Sequence, residues 1–161
     1  MKDTLNIVIS GVGGQGTLLA SRILGHIAME TGHDVKVSEV HGMSQRGGSV
    51  ITYVRMGEQV YSPMIEQKGA DYILAFEELE ALRDLPYLKE GGTLILNAQR
   101  ILPLPVIIGA AQYPEGILET LRDKADVVAM DALAMASASG NSSCVNTVLL
   151  GALAKRLSFD K

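Results

Sequence analysis

The chain has 161 residues, 18 acidic against 14 basic, for a formal net charge of −4. That length suits one domain, which can bury about 70% of the surface its unfolded form exposes, so no covalent or metal staple is required. One cysteine, Cys144, excludes an internal disulfide and any zinc or iron–sulfur centre ligated by cysteines of this chain alone.

The charges are spread along the chain, so no basic stripe is available for nucleic acid. No apolar run approaches the ~20 residues of a membrane span. The first residues lead into a strand pattern without a signal-peptide core, and the expectation is a cytoplasmic domain.

Residues 5–10 (LNIVIS) read as a buried strand that runs into Gly11-Val12-Gly13-Gly14-Gln15-Gly16. Ala20, Ile23, Leu24, Ile27 and Ala28 then recur on one helical face, and Gly32 sits where a helix ends on a left-handed residue. Residues 34–40 form a second strand, giving a β–loop–α–β unit of the kind that joins parallel strands. A polar, glycine-rich loop follows at 41–48.

Residues 49–56 (SVITYVRM) alternate like a strand, and Gly57-Glu58 predicts a hairpin returning through 59–62. Strands are expected again at 71–76, 93–96 and 127–130. Helices are expected around Leu79, Leu82 and Leu85 up to Pro86, around Ile117 to Leu121, and from Asn146 to Leu157. Pro103 and Pro105 break a connecting stretch. Alternating strands and helices predict a three-layer α/β/α, Rossmann-like domain with a mostly parallel, mixed sheet over 1–161.

The glycine fingerprint offers mechanical roles. Gly11 would permit a tight turn, Gly13 and Gly14 a close ligand approach, and Gly16 close packing of helix on strand, while free N–H groups at the helix start favour an anion. Thr17 stands where a phosphate-binding P-loop needs Lys, which excludes that motif. Glu39 occupies the place of a ribose-binding acid at the end of the second strand. Two readings of the glycines stand: a nucleotide or coenzyme A phosphate cradle, or a corner tightened against a neighbouring subunit.

The richest stretch is Glu39-Val40-His41-Gly42-Met43-Ser44-Gln45-Arg46-Gly47-Gly48-Ser49. Glu39, His41, Ser44, Gln45 and Arg46 supply specific polar groups among the glycines, and Arg46 beside Gly47 and Gly48 suits a carboxylate or phosphate. A simpler alternative pairs Arg46 with Glu39. His26 and His33 lie alone, without metal-ligand spacing. Cys144, with no His that can be placed beside it, reads as inert. Glu77, Glu78 and Glu80 read as a solvated first helical turn.

GxGGQG at 11–16 followed by SEVHGMSQRGGS at 38–49 resembles the gamma-type domain of the 2-oxoacid:ferredoxin oxidoreductases. Tyr61-Ser62-Pro63, residues 70–77, Gly91-Gly92-Thr93 and residues 146–152 extend the similarity over nearly the whole chain. The resemblance implies a subunit that binds no cofactor with certainty. A large partner would carry thiamine diphosphate and iron–sulfur clusters, decarboxylate an aryl 2-oxoacid such as indolepyruvate, reduce ferredoxin and yield the acyl-CoA from coenzyme A. The glycine loop and the 39–49 loop would then face that partner, closing the active site or helping to hold coenzyme A.

Family members usually run a few dozen residues past the equivalent of Leu157, so a C-terminal segment is expected to be missing here. A stand-alone nucleotide- or flavin-binding module is the alternative, and a purely structural dimerisation domain a weaker third.

Overall fold

The structure is a computed structural model that describes residues 4–42 and 47–157. Six strands form one sheet: β1 (Leu5–Val12), β2 (Asp34–His41), β3 (Ser49–Gly57), β4 (Ala70–Ala75), β5 (Leu88–Asn97) and β6 (Asp126–Met130). Their order is β2-β3-β1-β4-β5-β6. β3 alone runs against the rest, antiparallel to both β1 and β2, while β1–β4, β4–β5 and β5–β6 pair in parallel. The three-layer, mixed α/β expectation therefore holds.

The predicted hairpin does not form. Residues 59–62 are not a strand, and β3 pairs antiparallel with β2 instead. The long-range pairing is worth more than the local turn signal, because Val54 and Met56 on β3 are buried beside Ile7 and Ile9 of β1. β3 so inserts between the two strands that the β–α–β unit placed side by side. The 58–69 segment becomes an irregular strap, held by Arg55, which donates to the carbonyls of Ser62 and Met64 and to the Asn6 side chain.

One face of the sheet packs on α1 (Thr17–Glu30) and α6 (Val145–Ala154), with Ala20, Leu24, Ala28, Leu149 and Leu153 buried against Ile7, Ile9, Leu74 and Ile95. The other packs on α2 (Glu78–Asp84) and α4 (Ile117–Lys124), with Leu79, Ala81, Ile117 and Leu121 against Val8, Ile73, Leu94 and Leu96. Two short helices complete the fold, α3 (Leu104–Ile107) and α5 (Ala132–Ala138). α5 had a readable signal: the Asp131 carboxylate caps it by accepting from the Ala134 N–H at 2.8 Å. Among the described residues no helix is long and apolar enough to cross a membrane.

The reading of 77–80 as a solvated turn fails. Glu77 is 1% exposed, and Glu78 and Glu80 are buried too. Glu77 caps α2 through the Glu80 N–H (2.9 Å), and its other oxygen accepts from the Ile101 N–H (3.1 Å) and the Tyr113 hydroxyl (2.6 Å). Glu78 holds Arg100 at 2.8 Å, and Glu80 accepts from Ser49 and Arg83. Each carboxylate is buried because it has a fixed donor, which offsets its lost hydration.

Further along α2, Ser10 donates to Asp84 at 2.5 Å. Burial, with Glu80 nearby, pushes the Asp84 carboxyl up from 3.8 to about 6, against the opposing pull of Ser10 and Arg83.

Two stability measurements follow. Glu77→Ala removes the cap and strands the Ile101 N–H and Tyr113 hydroxyl, so denaturant unfolding should show a loss of ~3 kcal/mol. Because the folded state binds the Asp84 proton more tightly than the unfolded chain, its contribution to stability is greatest below pH 4. It declines as pH rises through about 6, by up to ~3 kcal/mol. Asp84→Asn should flatten that part of the pH–stability curve, and an unchanged slope would contradict the assignment.

Candidate functional site

The glycine loop leaves the carboxyl end of β1 at the centre of the sheet. Gly11 makes no turn: it lies inside β1, and a Cβ there would stand 2.9 Å from Thr17 Cγ2 and 3.2 Å from Phe76 Cβ. Its role is to leave room. The left-handed residues are Gly14 (φ 102°) and Gly16 (φ 85°). Gly16 does not pack helix on strand as expected. A Cβ on it would meet Asn146 Nδ2 at 2.5 Å, and that amide donates to the Gly16 carbonyl. The glycine therefore makes way for the start of α6.

Gln15 is turned inward. Its Oε1 accepts from the Val12 N–H at 2.7 Å, and its Nε2 donates to the Phe76 carbonyl at 3.0 Å and reaches Gln99 Oε1 at 3.5 Å. Phe76 follows β4, so this side chain bridges the carboxyl ends of β1 and β4. In doubly wound sheets that crevice, where the strand order switches direction, takes the ligand. Here Gln15 closes it. Asn97 continues the closure, donating to the Phe76 carbonyl (3.2 Å) and accepting from the Ala132 N–H at the start of α5 (3.0 Å).

The opening lies on the other side of β1. A cleft of about 460 Å³ is lined by Gly13, Gly14, Gly16, Thr17, Leu18, Glu39, His41 and Val50. Insertion of β3 widens the distance between the first two strands, yet Glu39 and His41 at the end of β2 still share this cleft with the glycine loop. Among the described residues the half-buried Glu39 carboxylate has one long contact, from the Thr52 hydroxyl at 3.4 Å. His41 is exposed, with Nδ1 3.2 Å from the Gly42 carbonyl.

The two glycine loops are zipped together. Gly13 N–H donates to the Gly48 carbonyl at 2.8 Å, and Gly47 N–H to the Gly13 carbonyl at 3.3 Å. Gly13 is thus a structural donor. The N–H groups of Gly14, Gly16, Thr17 and Leu18 find no acceptor among the described residues, and no acid stands in the first turn of α1. The start of a 14-residue helix consequently opens into the cleft without a cap.

Of the sequence candidates, the structure brings together Gly13, Gly14, Gly16, Glu39 and His41, zips Gly47 and Gly48 to them, and assigns Gly11 and Gln15 to the frame. Ser44, Gln45 and Arg46 lie outside the described residues. His26 pairs with Glu30 on the surface of α1, and His33 meets the Thr31 hydroxyl. Cys144 is a free thiol at the N-cap of α6. Asn97, Gln99 and Asn146 escaped the sequence reading as site-forming residues. Asn146 was readable only as one position on an apolar helix, although it is the one polar group buried at the start of α6.

Comparison with known proteins sets this geometry in a family. The family model for pyruvate ferredoxin/flavodoxin oxidoreductase matches residues 6–161. Indolepyruvate oxidoreductase subunit IorB of Thermococcus kodakarensis is 48% identical over 96% of this chain and 78% of its own. The gamma subunit of a keto/oxoacid ferredoxin oxidoreductase from Geobacter sulfurreducens superposes with a TM-score of 0.64 at 24% identity, over 92% of this chain and 75% of that one. The 2-oxoglutarate:ferredoxin oxidoreductase of Magnetococcus marinus, solved with 2-oxoglutarate, coenzyme A and succinyl-CoA, contains the same fold. There the TM-score is 0.71 at 17% identity, over all of this chain and 26% of that one. The chain belongs to the pyruvate ferredoxin/flavodoxin oxidoreductase family, among its small, gamma-type subunits.

Proposed function

We propose that this chain is the small subunit of an indolepyruvate:ferredoxin oxidoreductase working in the cytoplasm. Its large partner carries thiamine diphosphate and iron–sulfur clusters, decarboxylates indolepyruvate and other aryl 2-oxoacids, and passes the electrons to ferredoxin. One observation carries the reading: four relatives, 42–48% identical over 92–96% of this chain, bear the name of that subunit. The single Cys144 agrees with it, since this chain alone offers no thiolate set for a cluster.

Within the complex, the glycine-loop cleft is the place for an anionic group of the coenzyme A co-substrate. The free N–H groups of Gly14, Gly16, Thr17 and Leu18 suit a phosphate, and Glu39 and His41 provide polar contacts across the cleft. Gln15, which fills the β1–β4 crevice, disfavours the competing dinucleotide or flavin module.

Reconstitution with the large subunit tests the assembly. Viologen reduction should require both chains, indolepyruvate and coenzyme A, with indolepyruvate preferred to pyruvate and 2-oxoglutarate; full activity of the large subunit alone would refute the reading. For the cleft, Leu18→Glu sets an acid at an exposed position of the first helical turn, where it suits the helix dipole and leaves folding intact. The same charge repels phosphate, so the KM for coenzyme A should rise by ~10-fold, about 1.4 kcal/mol, with the KM for the oxoacid unchanged. Equal KM values in variant and wild type would remove coenzyme A from this cleft.

A further inference from the structure

Ser49, the first residue of β3, stands where the cleft's two walls meet. It pairs with Val12 of β1, and its neighbour Val50 pairs with His41 of β2. Gly48, just before it, accepts from the Gly13 N–H, and Val50 lines the cleft together with Glu39 and His41. The glycine loop on one side and the end of β2 on the other therefore both take their place from the start of β3.

Backbone contacts hold that start weakly. The Gly47 N–H reaches the Gly13 carbonyl at 3.3 Å, longer than the roughly 3.2 Å upper end of the ordinary range. Gly47 lies in the left-handed region (φ 76°), and both arms of the zipper are built from glycines, which have the most conformational freedom to lose.

A side chain supplies a firmer anchor. The Ser49 hydroxyl donates to Glu80 Oε2 at 2.5 Å. Ser49 is exposed, whereas the Glu80 side chain is only 4% exposed. Glu80 Oε1 accepts from Arg83 at 2.5 Å, and the Glu80 N–H is held by Glu77, so α2 itself aims the remaining oxygen at Ser49. The bond is short and charge-assisted, hence directional. One helical turn on, Asp84 accepts from the Ser10 hydroxyl, and Ser10 shares a face of β1 with Val12, the partner of Ser49. Buried carboxylates of α2 thus grip both strands at the points where the glycine arms leave the sheet.

We propose that Glu80 is a positioning residue for the anion cleft: through Ser49 it holds the Gly47–Gly48 arm against Gly13, at the spacing that keeps the Gly14, Gly16, Thr17 and Leu18 N–H groups open to one phosphate. This rests on the proposed placement of coenzyme A. Donors that are fixed in advance bind an anion well because nothing has to be reorganised, and a loosened arm forfeits that advantage for the anion alone.

Glu80→Ala would also strip Arg83 of its partner, so Ser49→Ala is the cleaner cut, removing one hydroxyl at an exposed position. In the complex reconstituted with the large subunit, Ser49→Ala should raise the KM for coenzyme A about 10-fold and leave kcat and the KM for indolepyruvate unchanged. In the full chain, amide exchange at Gly13 should quicken about 10-fold. Ser49→Thr keeps the hydroxyl and should restore both. Tyr53→Phe, which cuts the contact with Tyr87 further along the same strand, should move neither. A wild-type coenzyme A KM in Ser49→Ala beside a raised one in Leu18→Glu would overturn the role of Glu80 and leave coenzyme A in the cleft. Wild-type values in both variants would overturn both. A rise in the KM for both substrates, or the same rise in Tyr53→Phe, would mark a general loosening of the fold and overturn the proposal.

Discussion

At the carboxyl edge of the sheet the strands β1, β4, β5 and β6 end in backbone groups that their ladders no longer satisfy. Three side chains take up that demand. Gln15 serves the Val12 N–H and the Phe76 carbonyl, Asn97 serves the Phe76 carbonyl and the Ala132 N–H, and Glu77 serves the Glu80 and Ile101 N–H groups. Buried main-chain groups of this kind cost kilocalories when left unpaired, on the order of 1–3 each. Everything placed above the edge depends on this layer: the glycine loop, the start of α5 and the root of the 101–111 segment.

The same layer divides the edge in two. Over β1, β4 and β5 it is closed by amides, so the crevice usual for ligands in such sheets is occupied by the protein itself. On the β3 side of β1 no equivalent amide intervenes among the described residues, and the glycine loop, Glu39 and His41 border an open cleft. The insertion of β3 makes this possible. It removes the strand neighbour against which a dinucleotide would lie in the usual order, while Val50 near its start lines the opening and Gly47 and Gly48 tie to Gly13.

The fold class, most strands and the location of the cleft were legible in the sequence because they rest on local signals: β-branched runs, a 3.6-residue apolar period at Ala20, Leu24 and Ala28, and glycines after a strand. The strand order was not. Gly57-Glu58 reads locally as a turn, but β3 runs through Gly57 and obeys the burial of Val54 and Met56, which is a long-range matter. The acids at 77, 78 and 80 misled for a related reason. A carboxylate in a first helical turn is solvated or buried according to donors that approach from elsewhere, and here they come from Ile101, Tyr113, Arg100 and Ser49. Gln15 sat inside a motif whose glycines drew the attention, while its side chain set the geometry.

Those buried acids also bear on what this subunit can contribute. An apolar residue at position 77 would avoid the cost of burying a carboxylate, and such exchanges are often neutral or stabilising where the partners are replaced together. Among the described residues, however, the Glu77 carboxylate has only N–H and O–H donors as partners, drawn from α2, from the start of the 101–111 segment and from Tyr113 just beyond it. No hydrophobic contact constrains three chain segments in direction as well as distance. A misplacement of about 1 Å is enough to cost two orders of magnitude in rate, so surfaces held at fixed angles matter in a subunit of an oxidoreductase. The buried charge at this edge is therefore better understood as a constraint on orientation than as a source of stability.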